Sequence, residues 1–141
     1  MVAALNAGRV RYALAGGVAV SIYASPRATE DVDFLIAGDD LDTAVSVLSG
    51  LGFRVAGAPM DVAGGRLRIH RLLKFEGAAL LPVDLLIPQD PALGRLVDER
   101  SVVDWEGEQV AIVTVDGLRT LKKLRGSAQD RADLEALGPE P

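Results

Sequence analysis

Asp31 and Asp33, separated by one valine, are the first side chains in this sequence whose type and spacing suggest chemistry. Side chains alternate along a strand, so both carboxylates leave the same face of an extended segment. Two rises of about 3.3 Å place their Cα atoms about 6.6 Å apart, within reach of one divalent cation. Val32 and Phe34 then turn to the opposite face, towards a core. Two unpaired carboxylates at the start of a buried strand carry a desolvation cost. A hard cation such as Mg²⁺ (or Mn²⁺) takes oxygen ligands and removes it. A third carboxylate, Asp84, interrupts the otherwise apolar "PVDLLI". If its strand lies beside that of Asp31, three carboxylates converge as metal ligands. Two ions about 3.5–4 Å apart would then clamp the attacking and leaving oxygens of a phosphoryl transfer. The structural alternatives are a strand-start turn for Asp31 and a core carboxylate paired with Arg68 or Arg71 for Asp84.

Gly16-Gly17 precedes this pair, between a strand and a helix. Glycine lets a backbone approach a ligand closely, and the first amides of a helix, with its dipole, favour an anion. An amide-lined phosphate seat followed by a carboxylate pair makes the two halves of a metal–nucleotide site. Arg27 and Thr29 lie between the halves and either contact phosphate or hold a carboxylate or helix end. On the helix carrying Leu118, Leu121 and Leu124, Lys122 lies about 100° from the centre of the buried face and Lys123 about 200°. Lys122 is therefore expected to reach from the flank towards a cleft and a triphosphate, with Lys123 in water. Asp130 stands at capping-box spacing from Ser127, so a structural role competes evenly with a nucleotide-side one. His70, the single histidine, reads as a surface residue.

The elements that position these residues follow from periodicity. A short helix over 1–7 ends at Gly8, and "RYALA" reads as a strand. "VAVSIYA" has helical spacing and must end before Pro26. "DVDFLIA" reads as a central strand, and Asp39 or Asp40 can cap an amphipathic helix ending at Gly50 and Gly52. "FRVAG" is a short strand. Residues 66–75 form a half-exposed strand, 80–87 a buried one, and Pro88 and Pro91 bracket a turn. A hairpin turns at Gly107. Asp116 can cap the next helix, and Ser127 opens a last one ending near Leu137. The expected fold class is α/β (α+β), a mixed sheet flanked by helices.

The chain has 141 residues, the length of one domain, 1–141, and a net charge of −5. An acidic chain is a poor general nucleic-acid binder. The absence of cysteine excludes disulfides and thiolate metal sites and fits a reducing, cytoplasmic setting. No apolar run approaches a membrane span. No Gly-x-Gly-x-x-Gly follows the first strand, which excludes a dinucleotide-binding unit.

In order, Ala15-Gly16-Gly17, Asp31-Val32-Asp33-Phe34 and Val83-Asp84-Leu85 resemble the core motifs of the polymerase-β-type nucleotidyltransferase superfamily. "RYALAGGVAV", "PRATEDVDFLI" and "LRTLKKLRGSAQDRADLEAL" resemble the AbiEii/MenT-like toxin group and its small uncharacterised relatives, with Lys122 and Asp130 on characteristic positions. Relatives often carry His near Tyr23, and Gly-Arg where this chain has Gly126-Ser127; Arg125 is the neighbouring cation. The resemblance implies a minimal nucleotidyltransferase fold, with Asp31, Asp33 and Asp84 on two Mg²⁺ ions and an NTP as substrate. Asp84 would take the acceptor's proton. The acceptor would be an RNA such as tRNA, a protein or a small molecule, and the partner an antitoxin or a second copy. The alternative is a non-catalytic nucleotide-binding or antitoxin-like module on the same fold.

Overall fold

The computed structural model describes residues 1–24 and 31–139. Arg27 and Thr29 lie outside the described residues. The eight described strands form one mixed sheet in the order β3-β5-β6-β2-β1-β8-β7, with β4 beside β5. The strands are β1 (Tyr12–Ala15), β2 (Val32–Ile36), β3 (Arg54–Val55), β4 (Met60–Val62), β5 (Leu67–Glu76), β6 (Ala79–Pro88), β7 (Ser101–Trp105) and β8 (Glu108–Ile112). The helices are α1 (Val2–Ala7), α2 (Gly16–Tyr23), α3 (Leu41–Gly50), α4 (Pro91–Asp98), α5 (Val115–Arg125) and α6 (Ala128–Leu137). This is the expected α/β class, a mixed sheet with helices. None of the described helices is long and apolar enough to cross a membrane.

The sheet centre is apolar on both faces, as strands covered on both sides require. Phe34, Leu35, Ile36, Val83, Leu85 and Leu86 are buried. Tyr12 meets Phe34 edge-on, with ring centroids 5.6 Å apart. The Tyr12 hydroxyl donates to Asn6 Oδ1 at 2.9 Å and accepts from the Ala111 amide at 3.3 Å, so the buried ring keeps its polar end satisfied. The α2 helix packs against β1, β2, α5 and α6.

Several boundaries differ from the sequence reading, each for a local reason. The α2 helix begins at Gly16, because glycine can enter a helix from the left-handed region, here φ +63°. Asp40 precedes α3, but its side chain makes no cap; it accepts from the Arg11 amide at 2.7 Å and guanidinium at 3.0 Å instead. Thr114, not Asp116, caps α5 by accepting from the Gly117 amide at 3.0 Å. The segment expected to be a Pro-bracketed turn contains α4. Asp90 is its N-cap, accepting from the Leu93 amide at 2.8 Å, and Pro91 fills the first turn, where a missing N–H matters least. The short β4 has no sequence counterpart, since "MDV" is too brief to show a period.

Candidate active site

Strand register builds the site. Ala15 pairs with Asp33 between β1 and β2, Asp33 with Asp84 between β2 and β6, and Asp84 with Arg71 between β6 and β5. Register partners share a face, so Arg71, Asp84, Asp33 and Ala15 form one transverse row across four strands. Neighbouring strands are about 4.8 Å apart, which sets the two carboxylates side by side. Both aspartates are buried, at 8% and 7% exposure.

Gly16 closes the row. Its Cα lies against the Asp33 carboxyl group: an added Cβ would meet Oδ2 in a clash and stand 2.9 Å from Cγ. Only glycine combines that closeness with its positive φ. Gly17 follows it in the first turn of α2, and no side chain caps that turn. The two glycines thus bring the helix N-terminus onto the carboxylate row. Gly16→Ala is expected to lower stability by about 1–3 kcal/mol, the scale of a forced left-handed residue. It should also push Asp33 off the row. Urea denaturation reads the first effect, and loss of triphosphate binding reads the second.

Of the three carboxylates expected to converge, Asp33 and Asp84 form a buried pair and Asp31 stays exposed immediately before β2. The Arg71 side chain bridges Asp31 to Asp84. The Arg71 guanidinium donates to Asp84 from Nε at 2.7 Å and from Nη2 at 2.9 Å, and Nη2 lies 3.6 Å from Asp31 Oδ2. Among the described residues, no group of three or more His, Cys, Asp or Glu gathers closely enough to hold a metal ion. The pair itself suits a hard dication. Its donors are all oxygen and they face each other across adjacent strands. Arg125 Nη1 lies 3.8 Å from Asp33 Oδ2, longer than a hydrogen bond. Burial, then the neighbouring Asp84, push the Asp33 carboxyl up to about 6. A carboxylate held that way is one a bound cation relieves.

The folded protein therefore keeps a proton on Asp33 that the unfolded chain, near 3.8, has already released. Asp33's contribution to stability is greatest below about pH 4 and is lost as the pH rises through about 6. Melting temperatures in chelator should show this fall, and Asp33→Asn should flatten it. An unchanged slope in that variant would assign the titration to another group.

Lys122 faces inward and Lys123 outward, as the helical wheel expects. Lys122 is 5% exposed and its ammonium is tied to α6, at 3.2 Å from Asp130 Oδ1 and 2.8 Å from Asp133 Oδ2. Asp130 is the acid of a formed capping box, accepting from the Ser127 amide at 3.1 Å and hydroxyl at 2.6 Å. Burial raises its carboxyl, but these bonds and Lys122 outweigh burial and hold it below the usual range. With Gly16 and Arg125, Lys122 also lines a narrow crevice over the start of α2. Arg125 and Arg71 are the site residues that sequence reasoning ranked too low. Arg71 appeared only as a possible core partner of Asp84, and Arg125 only as a neighbour of the departure at Ser127.

A cavity of about 300 Å³ opens beside Asp84, lined by Ala56, Met60, Val62 and Ile69 together with Arg71 and Arg125. A larger hollow at Ser49, Phe53 and Arg54 holds no carboxylate and none of the row residues. His70, half-buried on β5, lines neither of these two cavities.

No family model and no curated protein matches the sequence. Solved structures do match. An antigenic nucleotidyltransferase-like protein from Paracoccidioides brasiliensis aligns with 96% of this chain and 69% of its own, at 18% identity and a TM-score of 0.63. The lincosamide antibiotic adenylyltransferase LnuA, with lincomycin bound, aligns over 94% and 89%, at 13% identity and 0.62. ANT(2″)-Ia in complex with adenylyl-2″-tobramycin aligns over 96% and 80%, at 16% identity and 0.60. The chain has the nucleotidyltransferase fold. In this nucleotidyltransferase fold the Gly16–Asp33–Asp84 row lies at the centre of the sheet, beneath the N-terminus of α2 and the C-terminal end of α5.

Proposed function

We propose that residues 1–141 form a single nucleotidyltransferase domain that moves a nucleoside monophosphate from an NTP to an acceptor hydroxyl. One observation carries this reading: two buried aspartates stand in register on adjacent parallel strands, with a left-handed glycine at a helix start packed against one of them. Asp33, Asp84 and Asp31 would hold one or two Mg²⁺ or Mn²⁺ ions, which would supply Lewis-acid stabilisation of the phosphoryl oxygens. The Gly16 and Gly17 amides receive the triphosphate. Lys122, pinned beside Gly16 by Asp130, and Arg125 add positive charge over that seat. Arg27 and Thr29 are assigned to the same nucleotide side. Asp84 faces the cavity and accepts the proton of the attacking hydroxyl.

The cavity favours a small acceptor. Its volume is at the lower end for a drug-sized ligand, and its walls combine apolar side chains with the charges of Arg71, Asp84 and Arg125. The acidic net charge disfavours tRNA. An antitoxin partner, a homodimer and a cytoplasmic toxin role rest on the motif resemblance alone. A second reading, a nucleotide-binding or antitoxin-like module without turnover, is favoured by one observation: Arg71 occupies both oxygens of Asp84.

Labelled NTPs with Mg²⁺ or Mn²⁺, offered to a panel of small hydroxyl compounds, bulk tRNA and lysate protein, separate these readings. Metal-dependent label on a small molecule is expected. Label on tRNA or protein would move the acceptor to that class. Triphosphate binding without pyrophosphate release would leave the binding module. In parallel, a triphosphate and Mn²⁺ together should raise the melting temperature more than either alone, because both bind the folded state at one place. Equal stabilisation by triphosphate in excess chelator would remove the metal from the reading.

A further inference from the structure

The Arg71–Asp84 pair is more than a way of satisfying a buried carboxylate. The Asp84 side chain is 10% exposed, whereas the Arg71 side chain is 47% exposed. Arg71 reaches in from solvent across β5, covers both Asp84 oxygens and extends to Asp31. Those are the oxygens that the proposed function gives to a divalent ion. We propose that Arg71 is the resident counter-cation of this site, and that the ion enters by displacing it. The divalent ion is then admitted together with nucleotide rather than ahead of it.

Three physical points carry this. An arginine keeps its charge at any working pH, so it does not leave the site by deprotonation. Its fork matches a carboxylate in two parallel bonds, which makes it a specific competitor and not a diffuse field. A bare dication arriving at Asp84 must give up part of its water, break both bonds and stand beside a like charge. A dication carried by a triphosphate brings its own anionic oxygens, which offset the repulsion, and the Gly16–Gly17 amides hold the phosphates. The released side chain needs no new pocket, because half of it is already in water. While the site waits for nucleotide, Arg71 neutralises one member of a buried carboxylate pair.

This rests on the metal-dependent reading above, and the experiment separates the two. Free Mn²⁺ is followed by electron paramagnetic resonance during titration of the intact chain without nucleotide, for wild type, Arg71→Gln, Arg71→Lys and Arg71→Gln/Asp84→Asn. The expected result is Mn²⁺ affinity about tenfold or more tighter in Arg71→Gln, the scale of losing a forked charge-assisted competitor. Arg71→Lys, which keeps the charge but not the fork, should fall between, and Asp84→Asn should cancel the gain. Melting in chelator should be lower for Arg71→Gln than for wild type, and Mn²⁺ should restore it. Equal affinities in wild type and both folded single variants would overturn the counter-cation role and leave the metal site standing. No Mn²⁺ binding in any variant, with or without a triphosphate, would overturn both. If Arg71→Gln does not fold, Arg71→Lys carries the test, and wild-type affinity in that variant counts against the proposal.

Discussion

Replacing Lys122 with alanine is expected to lower stability by about 3–5 kcal/mol, the range for removing one partner of a buried ion pair. The ammonium is the shared partner of Asp130 and Asp133, both buried. Its loss takes from both carboxylates the cation they share. Burial would then push Asp130 upward against only the Ser127 bonds. The α5–α6 contact, which supports α2 and with it the Gly16 turn, should loosen. Lys123→Ala provides the comparison. The two variants change net charge and helix propensity identically, but Lys123 is exposed, so its loss should stay within about 0.5 kcal/mol. Urea denaturation of both decides the matter. Losses of similar size would mean that the α5 face is misassigned. A normal stability for Lys122→Ala together with a large loss of triphosphate affinity would leave Lys122 its phosphate-side role and remove the structural one.

Asp84→Asn should leave the fold intact and suppress chemistry. The amide keeps the shape of the side chain and relieves the repulsion on Asp33, and the half-exposed Arg71 can turn to water or to Asp31. Stability should therefore change little, and nucleotide should still bind at the Gly16–Gly17 amides. Metal-dependent pyrophosphate release should fall by about a hundredfold or more, the scale of losing a general base. A variant with full turnover would reduce Asp84 to a structural partner of Arg71.

The motifs that point to nucleotide chemistry were legible because they are local. A Gly-Gly after an apolar strand, an Asp-x-Asp opening another, and an aspartate isolated in an apolar run each break a pattern that burial otherwise enforces. The capping box at Ser127 and Asp130 and the inward face of α5 were legible for the same reason, since three- and four-residue spacings determine them. The α4 helix was hidden by the proline signal, although Asp90-Pro91 is itself a helix-start pair.

By itself the sequence determined the α/β class, the order of its principal elements, and which residues break the apolar pattern. Those are consequences of period and propensity along one chain. Only the tertiary structure decided that Asp33 and Asp84 sit side by side in the interior while Asp31 stays exposed, and that Arg71 rather than Arg68 takes Asp84. Arg68 and Arg71 lie three residues apart on one strand and so point to opposite faces. Which of them meets Asp84 depends on the β5–β6 register, which pairs Arg71 with Asp84 and leaves Arg68 to Asp61. Slipping that register by one residue would reverse the faces, and neither arginine's own sequence neighbourhood carries that information. The closeness of Gly16 to Asp33 is likewise a property of the β1–β2 pairing, where Ala15 lies opposite Asp33 and the chain must turn at once into α2.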